Sequence, residues 1–201
     1  MKLILQSIRQ TLLWTLLCGL AYPLFMTLLA QLAFHDKANG SLVIRDGQVI
    51  GSSLLAQQFT GSNYFWPRPS ACSYGAGPAG LVPSGASNLG PASGALQSNV
   101  QNNAAAFLAG NNLPTNTPVP ADILFASGSG LDPDISPQAA QLQIARVAAA
   151  RGLSPGKVTH LVEQFTRGSQ WGFLGEPRVN VLLLNIALDE MAPKKAVPAK
   201  T

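Results

Sequence analysis

From Thr11 to Phe34 the chain runs for 24 residues without a charge. A bilayer's hydrocarbon core needs about 20 such residues in an α-helix, at roughly 1.5 Å rise each. A helix buried in a soluble core would keep a polar face. Here Leu12, Trp14, Leu16, Leu20, Phe25, Leu28 and Leu32 are spread around the whole helix circumference. The segment 11–34 therefore reads as a transmembrane helix. Pro23, in mid-span, frees a backbone carbonyl that a neighbouring helix has to satisfy, which points to a packed partner. A cleaved signal peptide is the competing reading, with Gly19-Leu20-Ala21 as its cleavage site. Two features oppose it: Pro23 would fall just behind the cut, and the apolar run continues for 13 residues beyond it.

Orientation follows the distribution of cations. Lys2 and Arg9 precede the span, whereas Asp36 offsets Lys37 and Asp46 offsets Arg45 after it. The expected organisation is a cytoplasmic amino terminus (1–10), the span (11–34) and an extracytoplasmic domain (35–190). A tail (191–201) rich in Pro, Ala and Lys should be disordered.

The net charge of +4 comes from the two ends of the chain, because residues 38–190 hold seven Lys/Arg against eight Asp/Glu. Phosphate-backbone binding needs clustered cations, so nucleic acid is excluded as a partner. Cys18 lies in the span and Cys72 far downstream, so no disulfide between them is expected.

The outer domain opens with a hairpin: Leu42-Val43-Ile44 and Val49-Ile50 flank Asp46-Gly47, both of which tolerate positive φ. Residues 53–59 suggest a short helix. Residues 60–93 are loop-like, with embedded Tyr64, Phe65, Trp66 and Tyr74 arguing against disorder. A helix is predicted over 95–109 and a linker over 110–120, followed by a buried strand at Ile123-Leu124-Phe125-Ala126. Ser136 and Pro137 start a helix that Gly152 stops, and Ser154 and Pro155 start another. Val179 to Leu188 reads as a last helix. Strands early and helices late give an α+β fold: one amino-terminal transmembrane helix followed by a small loop-rich extracytoplasmic domain.

Several motifs carry little chemistry. Gly75, Gly77 and Gly80 match GxGxxG, but Pro78 lies inside the match and no strand precedes it. No GxxxxGK[ST] loop, DKTGT segment or carbonyl filter is present. His35 and His160 have no Cys or carboxylate at metal-ligand spacing, and His160 reads as a solvated side chain. Asn39-Gly40-Ser41 fits a glycosylation sequon and is read as the turn into the hairpin. Ser127, Ser129, Asp132 and Asp134 admit three readings: helix-start chemistry beside Ser136-Pro137, an oxygen-rich cation vestibule, or a contact with another protein chain. Glu176 and Arg178 read as a local salt bridge. No Ser–His–Asp or Cys–His set is evident, so the chain is not expected to be an enzyme.

A set of segments together resembles the KdpC family, which belongs to the Kdp potassium-transporting ATPase. They are Ala21-Tyr22-Pro23-Leu24, residues 38–43, residues 64–70 (YFWPRPS), residues 87–91 (SNLGP) and residues 127–136 (SGSGLDPDIS). Arg146-Val147-Ala148, Ala150-Arg151-Gly152, residues 175–180 (GEPRVN), Asn185 and Asp189 complete the set. The resemblance covers about residues 20–190. It implies a non-catalytic accessory subunit of a high-affinity ATP-driven potassium uptake pump in the bacterial inner membrane. Its partners would be the channel-like KdpA, the P-type ATPase KdpB and the small KdpF. It also implies roles in assembly and as a catalytic chaperone that raises the ATP affinity of KdpB. No cofactor of its own is expected, since ATP and potassium are handled by the complex. Because the chain lies mostly outside the cytoplasm, an effect on ATP has to pass through the membrane helices as a coupling free energy. The candidate subunit-contact or ion-vestibule residues are Asn88, Ser127, Ser129, Asp132, Asp134, Glu176, Arg178 and Asn180. The alternative is a membrane-tethered module that binds a small polar ligand in the loop at 60–93.

Overall fold

The computed structural model describes residues 1–72 and 82–191. The GxGxxG glycines and the tail after Met191 lie outside the described residues. The chain divides into two compact units, Met1–Ser52 and Ser53 onward.

In the first unit, α1 (Lys2–Leu16), a π-helical turn (Leu17–Ala21) and α2 (Tyr22–Ala33) form one continuous helix of 32 residues with no buried residue. At 1.5 Å per residue it is ~48 Å long, and it is apolar enough to cross a membrane. It begins well before Thr11, because Leu3, Ile4, Leu5 and Ile8 extend the apolar surface around Arg9. The π turn lies immediately before Pro23, whose ring would clash with the carbonyl four residues back in a regular helix. The wider turn relieves that clash. Thr27 Oγ1 then donates to Pro23 O at 2.8 Å. Phe34 leaves helical geometry (φ −140°, ψ 44°), and a one-turn helix α3 (His35–Ala38) follows. Asn39 donates to His35 O at 2.8 Å, so the sequon asparagine is part of the turn into the hairpin. Strands β1 (Leu42–Arg45) and β2 (Gln48–Ser52) pair antiparallel. Asp46 (φ +52°) and Gly47 (φ +75°) form the turn, as their sequence predicts.

The second unit mixes helices with a small sheet. Helices α4 (Gly94–Gly110), α6 (Pro137–Arg151), α7 (Pro155–Phe165) and α8 (Val181–Met191) surround the core, joined by the single turn α5 (Ala121–Leu124). The sheet has the order β3-β5-β4 (Asp134–Ile135, Arg178–Asn180, Thr166–Arg167) and is antiparallel throughout. Helix α7 packs on both α6 and α8. The core holds Phe65, Ile135, Val147, Val158, Val179, Leu184 and Leu188 among others, all buried. Ser136 caps α6 through Ala139 N at 3.1 Å, and Gly152 ends it at φ +65°.

Two expected elements differ. Residues 53–59 form no helix, because long-range partners take their backbone groups. Ser53 O accepts from Asn180 Nδ2 at 2.9 Å, and Ala56 N donates to Leu131 O at 2.9 Å. The strand expected at 123–126 is instead the turn α5 followed by extended Phe125. The turn aims the Asp122 carboxylate at Ser136, accepting from its N at 2.7 Å and its Oγ at 3.0 Å. Only Ile123 of the apolar run is buried, while Phe125 is exposed. The last helix starts at Val181 because Asn180 caps it, Oδ1 accepting from Leu183 N at 3.1 Å, which leaves Val179 in β5.

Candidate subunit-contact site

Residues 61–70 contain no helix or strand, so their backbone polar groups have to be satisfied by other partners. Side-chain amides do this. Asn185 on α8 accepts from Phe65 N at 2.8 Å and donates to Phe65 O at 2.9 Å. Gln143 on α6 accepts from Trp66 N at 2.7 Å and donates to Trp66 O at 3.3 Å. Two amides on two helices thus substitute for a neighbouring strand.

Two arginines of α6 complete the attachment. Arg146 is buried and has no carboxylate among its hydrogen-bond partners. Its guanidinium donates to Ser62 O (2.6 Å), Tyr64 O (2.9 Å), Asn111 Oδ1 (2.8 Å) and Gln143 Oε1 (2.8 Å). It also stacks 3.9 Å from the Trp66 ring. Burial lowers its pKa to about 10, so it remains a cation at neutral pH. Arg151 donates to Asn63 O at 2.6 Å and pairs with Asp189 at 2.7 Å. Asp189 also accepts from the Tyr64 hydroxyl at 3.1 Å.

The next part of this loop meets the segment 127–136. Arg68 pairs with Asp132 at 2.5 Å, and Asp132 Oδ1 accepts from Asp134 N at 3.0 Å. Asp134 pairs with Arg178 at 3.0 Å across β3 and β5. The expected Glu176–Arg178 bridge is therefore absent: Glu176 is exposed, and Arg178 reaches the neighbouring strand instead. Asp132 and Asp134 do not sit at the start of α6 either, because Asp122 supplies that carboxylate. They bind guanidinium groups.

Ser127 is buried, and Ser129 O accepts from Gly85 N at 2.8 Å and Ser84 Oγ at 3.0 Å. Ser70 Oγ donates to Gly130 O at 2.7 Å. Gly130 has φ +69°, and a Cβ there would lie 2.7 Å from Gly85 O, so no other residue fits where these three segments meet. Beside them lies a cleft of about 480 Å³, lined by Ser70, Ser87, Asn99, Asn103, Leu124 and Phe125 among others. Of the eight candidate residues, the structure joins Asp134, Arg178 and Asn180 directly and links Asp132 to them through Asp134 N. Asn88 takes a left-handed φ of +53° in the loop before α4 and joins none of the others. Sequence reasoning assigned no role to Gln143, Arg146, Arg151, Asn185 or Asp189. The available signal was a polar Gln143/Arg146 pair on the same α6 face as Ala139, Ala140 and Val147.

Asp134 titrates in an unusual direction. Its half-buried position raises its pKa, and this outweighs the lowering by Arg178; the Asp132 charge raises it further. The folded state therefore holds this proton over a pH range in which the unfolded chain has released it. Stability supplied by this group falls as pH rises through that range. Asp134→Asn removes the titration, so the variant should gain stability relative to the parent as pH rises from about 4. Thermal melts of both proteins across that range check it; a difference that moves in the opposite direction overturns it.

The family model described as "KdpC: K+-transporting ATPase, c chain" matches residues 4–190. A protein of Paraburkholderia phytofirmans named "Potassium-transporting ATPase KdpC subunit" is 52% identical over 178 residues, covering 88% of this chain and 91% of that one. A protein of the same name from Methylococcus capsulatus is 52% identical over 181 residues, covering 90% and 93%. One from Geobacter sulfurreducens is 46% identical over 195 residues, covering 96% and 100%. With matches of this length and identity, the chain belongs to the KdpC family, the c chains of K+-transporting ATPases.

Proposed function

We propose that the chain is a non-catalytic accessory subunit of a high-affinity, ATP-driven potassium pump of the inner membrane. Its amino terminus is cytoplasmic and its second unit lies outside. The family match over 4–190 carries the pump assignment, and the position of Lys2 and Arg9 before the apolar helix supports the orientation. The channel-like KdpA, the P-type ATPase KdpB and the small KdpF are its partners. The arginines and carboxylates of the candidate site hold the chain's own loops together, which suits a rigid contact surface better than a reaction centre. Asn88 and Glu176, exposed and unlinked to that network, are the candidate residues most open to a partner.

The chain stabilises the assembly and raises the ATP affinity of KdpB. Such coupling, passed through membrane helices, is typically about 1–3 kcal/mol, or roughly 5- to 150-fold. The test assembles the pump with and without this chain, in detergent for the ATP titration and in right-side-out vesicles for the protease arm. Omitting the chain should raise the ATP concentration for half-maximal turnover at least about fivefold. External protease should remove a tag at residue 201 and spare one at residue 1. Unchanged ATP dependence sinks the coupling role, and a protected carboxyl terminus sinks the orientation. The cleft beside Ser70 and Asn103 favours a second reading, a small-ligand module. That reading requires a chain that purifies apart from large membrane partners in mild detergent.

A further inference from the structure

Residues 170–177, which follow β4 and lead into β5, are all exposed, and their tip is apolar. Trp171 is 85% exposed, Phe173 74% and Leu174 43%. Each is a large side chain that a soluble domain would normally bury. The turn is not loose. Gln170 N donates to Leu174 O at 2.8 Å and Leu174 N returns to Gln170 O at 2.9 Å. Gly172 N donates to Ser169 O at 3.2 Å and Phe173 N to Gln170 O at 3.3 Å. Trp171 takes φ +53°, a left-handed conformation uncommon for a large residue, and Gly172 takes φ +84°. Backbone strain is thus accepted where it holds the aromatic rings outward.

We propose that this tip inserts into the phospholipid interface of the bilayer in which the chain is anchored. Three observations select lipid as the occupant. The turn satisfies the donors of Gln170, Gly172, Phe173 and Leu174 within itself, so it can enter an apolar phase without stranding them. Residues 168–175 carry no charge, and the flanking Arg167 and Glu176 are of opposite sign, so the attraction is apolar and does not depend on anionic headgroups. Tryptophan, with an apolar body and one N–H, is the side chain most suited to the headgroup boundary. The same chain carries the helix Lys2–Ala33, long and apolar enough to cross a membrane. The inference stands apart from the pump assignment and holds for the chain alone.

The test uses the full chain carrying Trp14→Phe, which removes the tryptophan inside the apolar helix. It is reconstituted in phosphatidylcholine vesicles with brominated acyl chains. Trp66 and Trp171 then emit, and the same protein with Trp171→Phe isolates the Trp66 contribution. The expected result is a blue-shifted Trp171 emission, most of which bromine quenches, with the other pump subunits absent and again with them present. Unquenched Trp171 emission in the chain alone overturns the proposal, whether or not the emission becomes shielded on assembly. Quenching that is present in the chain alone and disappears on assembly also overturns it, because a protein surface then covers the tip in the pump.

Discussion

Replacing Arg146 by Met should destabilise the second unit by about 4 kcal/mol. A buried cation is often a net burden, and exchanging an entire buried ion network for apolar side chains can be stabilising. That route is closed here. Two of the acceptors, Ser62 O and Tyr64 O, are main-chain carbonyls that no substitution removes. Asn111 Oδ1 loses its donor as well, while Gln143 Oε1 keeps Trp66 N. Each stranded acceptor costs about 1–3 kcal/mol, and the stacking on Trp66 is lost too. Arg146→Lys should recover little, because a point charge on a flexible stem cannot reproduce a planar fork that bonds in several directions. The midpoint of thermal unfolding of the full chain in detergent reads the effect. A Lys variant as stable as the parent would show that charge, and not the fork, holds the loop.

Asn185→Leu is expected to cost about 3 kcal/mol, because both backbone groups of Phe65 then lose their partner in the interior. Phe65 is fully buried and Asn185 is 1% exposed, so water cannot substitute. Asn185→Asp separates the two bonds. The carboxylate still accepts from Phe65 N but cannot donate to Phe65 O until it is protonated. Burial raises the pKa of such a carboxylate, so this variant should gain stability as pH falls, with the folded state taking up the proton. The parent should show no corresponding change from this position. Equal, pH-independent losses in the Leu and Asp variants would mean that side-chain volume, and not the paired hydrogen bonds, is what α8 supplies at this point.

The parts of the fold legible in the sequence are those written in adjacent residues. Asp46-Gly47 specifies its turn, and Ser136-Pro137 and Ser154-Pro155 start helices where expected, because capping and turn chemistry act over three or four positions. The missed elements are set by distant residues. Strands β3, β4 and β5 have two or three residues each, too few for any alternation to register. Residues 53–59 and Ile123 to Ala126 each have a plausible local preference that Asn180, Leu131 and Ser136 override through hydrogen bonds. The candidate site divides in the same way. Asp132, Asp134 and Arg178 all stood out as charged residues in conspicuous motifs, but as two separate groups, Asp132 with Asp134 and Arg178 with Glu176. The partner of Arg178 was not visible, since Asp134 lies diagonally across the sheet from it and Glu176 lies only two residues away in sequence. The roles of Arg146, Arg151 and Asn185 were hidden because a polar residue on a helix declares its partner only once the loop it holds is in place.

The way the loop at 61–70 is held also fixes when it can form. Its bonds to Gln143, Arg146, Asn185 and Asp189 close over sequence separations of 77, 82, 120 and 125 residues. High contact order of this kind makes folding slow, because the entropy of closing long loops is spent before any contact repays it. During synthesis the loop precedes every group that holds it, and Gln143 and Arg146 on α6 come ahead of Asn185 and Asp189 on α8. The partners of Trp66 are therefore made with α6, whereas the partner of Phe65 comes only with α8. A chain that stops before Asn185 would keep the α6 anchors Gln143 and Arg146, yet leave both backbone groups of Phe65 without their partner. Burial of the aromatic loop thus depends on α8 as much as on α6, although the two lie about 40 residues apart in the chain.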